Sequence, residues 1–324
     1  MADKKKLPNP IWGFKPVVGK QHITLPVMKY IISILLFLCS SLGILSFSFL
    51  YLTFTTSCSH TQNQFGQKVI PFPADTVASR QQIAQIRSLP NDVFDAASFT
   101  DKDQLTIPYR LFKPAADQHN TTAKLPLVVV FHSAGRPIGT DNVSQLGILP
   151  KLFAGADIQS KYPAYVLAPQ FATRSSDYVT DSSRNVLASI PRPCLATALE
   201  LIDSLKRTLN IDDKRIYAIG FSMGGSTVIN ALSARPNLFA AGISIAGIPQ
   251  FSRIDDIKSI PLWLIHGTED TENTIDSDLQ FYKELKGGKH TRFWKLANTS
   301  HDNIFSTSIL GETLPGWLFK QQRK

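Results

Sequence analysis

Cysteine is scarce in this chain. Of 324 residues only three are cysteine: Cys39 inside a long apolar run, Cys58 just after it, and Cys194 alone in the body. A body with one thiol makes no internal disulfide, and no neighbouring ligand gives Cys194 a metal or redox motif. It reads as a buried or helix-start thiol. Charge is also sparse, at 18% of residues against 43% hydrophobic, which excludes a mostly disordered chain and allows a sizeable core. The net charge of +9 is unevenly placed: residues 1–29 hold six lysines against Asp3 and contribute +5. The rest carries only +4, from 28 basic and 24 acidic side chains, with no basic stripe of the kind that binds nucleic acid. Internal repeats and low-complexity blocks are absent from the sequence.

What is present first is YIISILLFLCSSLGILSFSFLYLTF, residues 30–54, 25 residues without a charge. As a helix it would span roughly 37 Å, enough for a bilayer core. That exceeds the about 7–15 apolar residues of a cleavable signal peptide. The lysines all precede the run, so residues 1–29 are expected in the cytoplasm and the body outside it, periplasmic or extracellular. Two rival readings stand beside a transmembrane anchor. Met28 as the start would make 30–54 a signal segment, and TTSC (55–58) resembles a lipoprotein box with Cys58 lipidated, although Thr55 replaces the usual leucine. Residues 55–78 are polar and read as a tether, leaving 79–324 as the catalytic-sized domain.

Within that domain VFDAASFT (93–100) and QLTIPYRLFKP (104–114) form a hairpin signal around Asp101–Asp103. Continuous apolar, β-branched runs follow at 125–132, 164–169, 215–221, 240–247 and 260–267, with a further strand at 292–296, as expected of strands buried on both faces. Helical patterns lie at 80–88, 194–208, 223–234 and 277–286. The alternation predicts an α/β domain with right-handed crossovers and a mostly parallel sheet, helices on both faces. Residues 171–193 form a long polar insertion, a candidate lid.

The chemistry concentrates in IGFSMGG (219–225). Gly220-Phe221-Ser222-Met223-Gly224 is G-x-S-x-G between a strand and a helix, the context of a nucleophile elbow. The turn is tight enough that the residues two before and two after the serine must lack side chains, and the helix N-terminus behind Ser222 favours developing negative charge. A serine nucleophile needs a base, and the base an orienting acid. ANTSHDNIF (297–305) follows a strand and offers His301. His22 and His60 lie at the front of the chain, His119 in a loop, His290 ahead of its strand, and His132 and His266 at strand ends. LWLIHGTED (262–270) offers Asp270 as the acid, with Glu269, Glu272 and Asp302 in competition.

With these residues assembled, the chain resembles the α/β-hydrolase superfamily, and within it the esterases described as predicted peptidases, relatives of the polyhydroxybutyrate depolymerase and phospholipase/carboxylesterase groups. The resemblance runs from about residue 93 to the C-terminus. It rests on YRLFKP (109–114), LPLVVVFHSAG (125–135), GTDN (139–142), YVLAPQ (165–170), RIYAIGFSMGG (215–225), HGTED (266–270), the SHD around His301 and PGWLFKQQRK (315–324). It implies Ser222, Asp270 and His301 as a triad. It also implies an oxyanion hole from the backbone N–H of Met223 and of a residue in His132-Ser133-Ala134-Gly135, Ala134 first and Ser133 next. The family usually places glycine where this chain has Ser133. Glycine reaches positive φ freely, so Ser133 implies either strain or a different allowed backbone. His132 reads as a ring that pins this loop, and His132, Gln170 and Phe221 as candidate pocket residues.

The expected activity is cofactor-free and metal-free hydrolysis of a small-molecule or polymer carboxylic ester through an acyl-enzyme. A peptidase, or a polyester or polysaccharide-ester depolymerase, would use the same triad. A non-catalytic anchored binding domain is the third reading, argued only from Ser133.

Overall fold

The run LPLVVVF becomes strand β4 (Leu125–Phe131), buried at every position. Leu127, Val129 and Phe131 enter one hydrophobic cluster, while Val128 and Val130 enter another. That period-two division is why a strand between two helical layers needs no polar face. The structure is a computed structural model that describes residues 65–118, 123–135, 138–285 and 289–324. The basic segment 1–29, the apolar run 30–54, Cys58 and the first half of the expected tether lie outside the described residues. Among the described residues no helix is long and apolar enough to cross a membrane.

The other strands of the main sheet are, in chain order, β1 (Gly66–Ile70), β2 (Asp95–Thr100), β3 (Thr106–Phe112), β5 (Tyr165–Pro169), β8 (Ile211–Phe221), β9 (Ala241–Ile245), β10 (Leu262–Gly267) and β11 (Thr291–Leu296). Their spatial order is β1-β11-β10-β9-β8-β4-β5-β3-β2. All neighbours are parallel except at one edge, where β3 runs antiparallel to β5 and β2 to β3. A separate hairpin joins β6 (Ser176–Asp181) to β7 (Val186–Pro191). Among the described residues, the helices of six residues or more are α1 (Thr76–Arg87), α2 (Ile148–Ala154), α3 (Cys194–Thr208), α4 (Met223–Ala234), α5 (Asp276–Glu284) and α6 (Thr313–Leu318). Apolar residues of α3, α4 and α5 pack on one face, those of α1, α2 and α6 on the other. This is an α/β-hydrolase architecture with a mostly parallel sheet.

One expectation needs correction. The tether does not extend to residue 78: residues 66–70 pair with β11 as the edge strand, and Asp75 caps α1 by accepting the Ala78 N–H at 2.8 Å. The segment GQKVI has no apolar run because an edge strand buries little; only Ile70 is buried and Val69 is 56% exposed. Residues 171–193, the candidate lid, are mostly the β6–β7 hairpin, bonded to the side of α4. Ser175 and Ser176 hydroxyls meet Thr227 Oγ1 at 2.7 and 3.2 Å, and Asn230 Nδ2 donates to Ser176 Oγ at 2.9 Å. The polar character of the insertion thus comes partly from buried hydroxyls that bind one another. Cys194 opens α3 half-buried, and burial pushes its thiol up.

Candidate active site

Ser222 stands between β8 and α4, with φ 57° and ψ −123°. A non-glycine residue there carries on the order of 1–3 kcal/mol of strain. Neighbouring bonds hold it: its N–H donates to Ile245 O at 2.8 Å, and its carbonyl accepts the Ser226 N–H at 3.1 Å. Glycine is obligatory on both sides. A Cβ on Gly220 would stand 2.3 Å from the Gly224 backbone, and one on Gly224 would stand 2.0 Å from Phe131 O. The elbow therefore presses β8, α4 and the end of β4 together, and points Ser222 Oγ outward.

His301 lies in the loop after β11, only 6% exposed, with Nε2 at 2.9 Å from Ser222 Oγ and Nδ1 at 2.6 Å from Asp270 Oδ2. Its ring packs on Phe221 at 4.8 Å between centroids, and Phe221 meets Phe305 edge-on at 5.0 Å. Asp270 is further fixed through Oδ1, which accepts the N–H groups of Glu272 and Asn273 at 3.0 and 2.9 Å. Burial pushes its carboxyl up, but hydrogen bonds from His266, His301 and the Asn273 N–H outweigh this and hold it well below the usual carboxylate range. An ionised Asp270 only accepts, so His301 Nδ1 donates to it and Nε2 is left to accept the Ser222 O–H. Of the competing acids, Glu272 reaches no closer than 3.8 Å to His301 Nε2, and Asp302 lines a neighbouring cavity.

The loop after β4 sits beside Ser222. His132 is a pin between two loops: Nδ1–H donates to Ser133 O at 2.7 Å, and Nε2 accepts the Phe171 N–H at 2.9 Å. Burial pushes the ring below the ordinary imidazole range, which suits an acceptor nitrogen. Ser133 does not adopt positive φ, so the strained alternative is excluded and the loop takes an ordinary backbone. Among the described residues no hydrogen bond occupies the N–H of Ser133 or Ala134. Met223 opens α4, so its N–H has no intrahelical acceptor. A cavity of about 930 Å³ opens between this loop, Phe221, Phe305 and the α1 face bearing Arg80, Ile83 and Arg87. Gln170 lines a smaller pocket of about 120 Å³ beyond His132 and donates to Asp141 Oδ1 at 2.7 Å.

Ser222, His301 and Asp270 are thus brought together, with Phe221 and His132 around them and Gln170 one pocket away. Two residues escaped the sequence reading. His266 was set aside as a strand-end histidine, yet its Nε2 lies 3.4 Å from Asp270 Oδ2 and its Nδ1 2.7 Å from Asp278 Oδ2. Asp278 left no signal, because an acidic residue in the first turn of a helix is ordinary. The sequence pattern marks only a short helix at 80–88, whereas α1 runs Thr76–Arg87 and lines the cavity.

The fold is that of an α/β-hydrolase, and the chain is similar to proteins of the esterase and peptidase types. More particularly, the sequence model of the Prolyl oligopeptidase family matches residues 194–286, from α3 through the elbow to just past α5. A solved structure described as a thermostable esterase is 32% identical with a TM-score of 0.64, covering 72% of this chain and 64% of that one. The bifunctional acetylxylan esterase/xylanase XynS20E of Neocallimastix patriciarum is 34% identical over 88 residues, 27% of this chain. The chain spans 12% of that relative's length.

Proposed function

We propose that the chain is a serine carboxylesterase, with Ser222 as nucleophile, His301 as general base and acid, and Asp270 as the residue that orients His301. The observation that carries this reading is the continuous hydrogen-bond line from Ser222 Oγ through both ring nitrogens of His301 to Asp270, at 2.9 and 2.6 Å. Ser222 Oγ attacks the ester carbonyl as its proton passes to His301 Nε2. The N–H of Met223, with that of Ala134 or Ser133, receives the oxyanion; donors of this kind are worth about 3–4 kcal/mol each. Collapse of the tetrahedral species expels the alcohol, protonated by His301. Water, deprotonated by the same ring, then releases the acid and restores Ser222.

The cavity bounded by Phe221, Phe305 and α1 is suited to one side of the ester, with Arg80 and Arg87 among its lining residues. A peptidase or a polymer-ester depolymerase is the second reading, favoured by the match of residues 194–286 to a peptidase family. The apolar run 30–54 supports membrane attachment of this domain outside the cytoplasm, and mass spectrometry of the mature N-terminus decides between an anchor, a cleaved signal and lipidation at Cys58. For the catalytic reading, the full chain is expected to hydrolyse short-chain aryl esters and to be labelled by a fluorophosphonate. Ser222→Ala should lose both. Retention of activity by that variant overturns the assignment, and a panel of ester, amide and polymer substrates separates the two readings.

A further inference from the structure

His266 ends β10 and Asp278 lies in the first turn of α5; both side chains are fully buried. Neither takes part in the steps above, and a buried pair of ionisable groups directly behind Asp270 has to be accounted for. The ring's two nitrogens meet different partners. Nε2 is 2.7 Å from the carbonyl oxygen of Asn273 and 3.4 Å from Asp270 Oδ2. Nδ1 is 2.7 Å from Asp278 Oδ2. A carbonyl oxygen only accepts, so Nε2 carries a proton, and an ionised Asp278 on the other side requires a proton on Nδ1 as well. The Asn273 carbonyl is not free to move away, because that residue's N–H donates to Asp270 and its side chain donates to Ala246 O at 2.8 Å.

The charges around the ring agree. Asp270 faces it from the loop after β10, and Asp278 from α5. On β11 the residue in register is Lys295, and beyond Asp270 stand His301 and Glu272. The other ionisable groups of α5 point elsewhere: Asp276 and Lys283 are exposed, and Glu284 pairs with Arg184 at 2.7 Å. Burial pushes the Asp278 carboxyl up, while the hydrogen bond and charge of His266 pull it down; with that carboxyl ionised, a neutral ring would leave two buried carboxylates with no adjacent cation on their shared side. Burial alone pushes His266 down, but its bonds to Asp270, Asp278 and Asn273 outweigh that and raise it to about 10.

We propose that His266 and Asp278 are positioning residues for the reaction: a permanently protonated His266, anchored by Asp278, holds Asp270 from behind and lengthens the chain to Ser222–His301–Asp270–His266–Asp278. The cation shares Asp270 Oδ2 with His301. It keeps that carboxylate ionised and in place.

This inference rests on Ser222 being the nucleophile, but its first test does not depend on activity. The full chain, isotope-labelled at histidine, is examined by nitrogen NMR across roughly pH 5–8, where an ordinary histidine loses its charge. The His266 signals are assigned by their disappearance in His266→Gln. Both ring nitrogens should be protonated throughout; a ring with one bare nitrogen overturns the proposal and leaves the esterase reading intact. In kinetics, normalised to fluorophosphonate-reactive sites, His266→Gln should lower kcat by up to about 10²-fold with KM little changed, as misplacement of a catalytic group does. Full kcat per reactive site overturns the positioning role. Where His266→Gln fails to fold, Asp278→Asn serves: His266 should then release a ring proton within the same pH window, and an unchanged ring overturns Asp278 as its anchor. Activity surviving in Ser222→Ala would instead sink the catalytic reading and leave the ring's protonation as a separate fact.

Discussion

Two walls meet at Ser222, and they are built on opposite plans. On the side of Asp270, polar groups are closely engaged: both carboxylate oxygens accept hydrogen bonds, His301 uses both nitrogens, and His266 and Asn273 close the set behind them. On the side of the cavity, the backbone N–H groups of Ser133 and Ala134 have no partner and no ion pair engages Arg80 or Arg87 among the described residues. The first wall is closely bonded, which fixes the ring of His301 and the carboxylate of Asp270 in one arrangement. The second keeps its donors and charges uncommitted, as a surface must that meets something from outside the chain.

Substitutions on the two walls should therefore differ in kind. The largest effect is expected from Asp270→Asn. It preserves shape but offers His301 Nδ1 an uncharged partner, and kcat should fall by about 10³–10⁴-fold with fold and fluorophosphonate access retained by circular dichroism and slow labelling. A loss under tenfold would mean that another acid serves His301. Ser133→Gly tests the loop between the walls. Since Ser133 already sits without positive φ, glycine adds freedom rather than relieving strain, and kcat should change by less than the roughly 10²-fold that loss of an oxyanion donor costs. A larger fall with an unchanged melting temperature would assign the Ser133 hydroxyl or its backbone setting a direct role. The smallest effect belongs to Arg80→Ala combined with Arg87→Ala. Exposed charges contribute little, so KM for esters bearing a carboxylate should rise at most about fivefold while neutral esters are unaffected. Equal changes for both ester types would remove the arginines from substrate recognition.

The sequence exposed the closely bonded wall far better than the open one, for physical reasons. The helices at 194–208 and 223–234 match their sequence patterns at both ends, since a buried helix must repeat its apolar residues. Gly220 and Gly224 are legible because a tight elbow tolerates no Cβ. His301 and Asp270 follow strands, where the order of the chain restricts the candidates. Long-range partners leave no such trace. The Asp278 carboxylate is ordinary until α5 folds it against His266, and β1 shows its role only beside β11. The hydroxyls of Ser175, Ser176 and Thr227 look like solvent-facing residues until they are found bonded to one another.

The edge strand has a consequence for force. β1 is held in register from Gly66 against Arg292 to Ile70 against Leu296, and Ile70 O accepts the Ala297 N–H at 2.9 Å. A load entering from the chain ahead of Phe65 reaches these bonds before any other part of the sheet. Pulled along its axis, β1 resists in shear with all of them together; pulled sideways, it peels one bond at a time. Its partner β11 is the strand that leads into the loop of His301, so tension on β1 bears on that loop through the shared ladder.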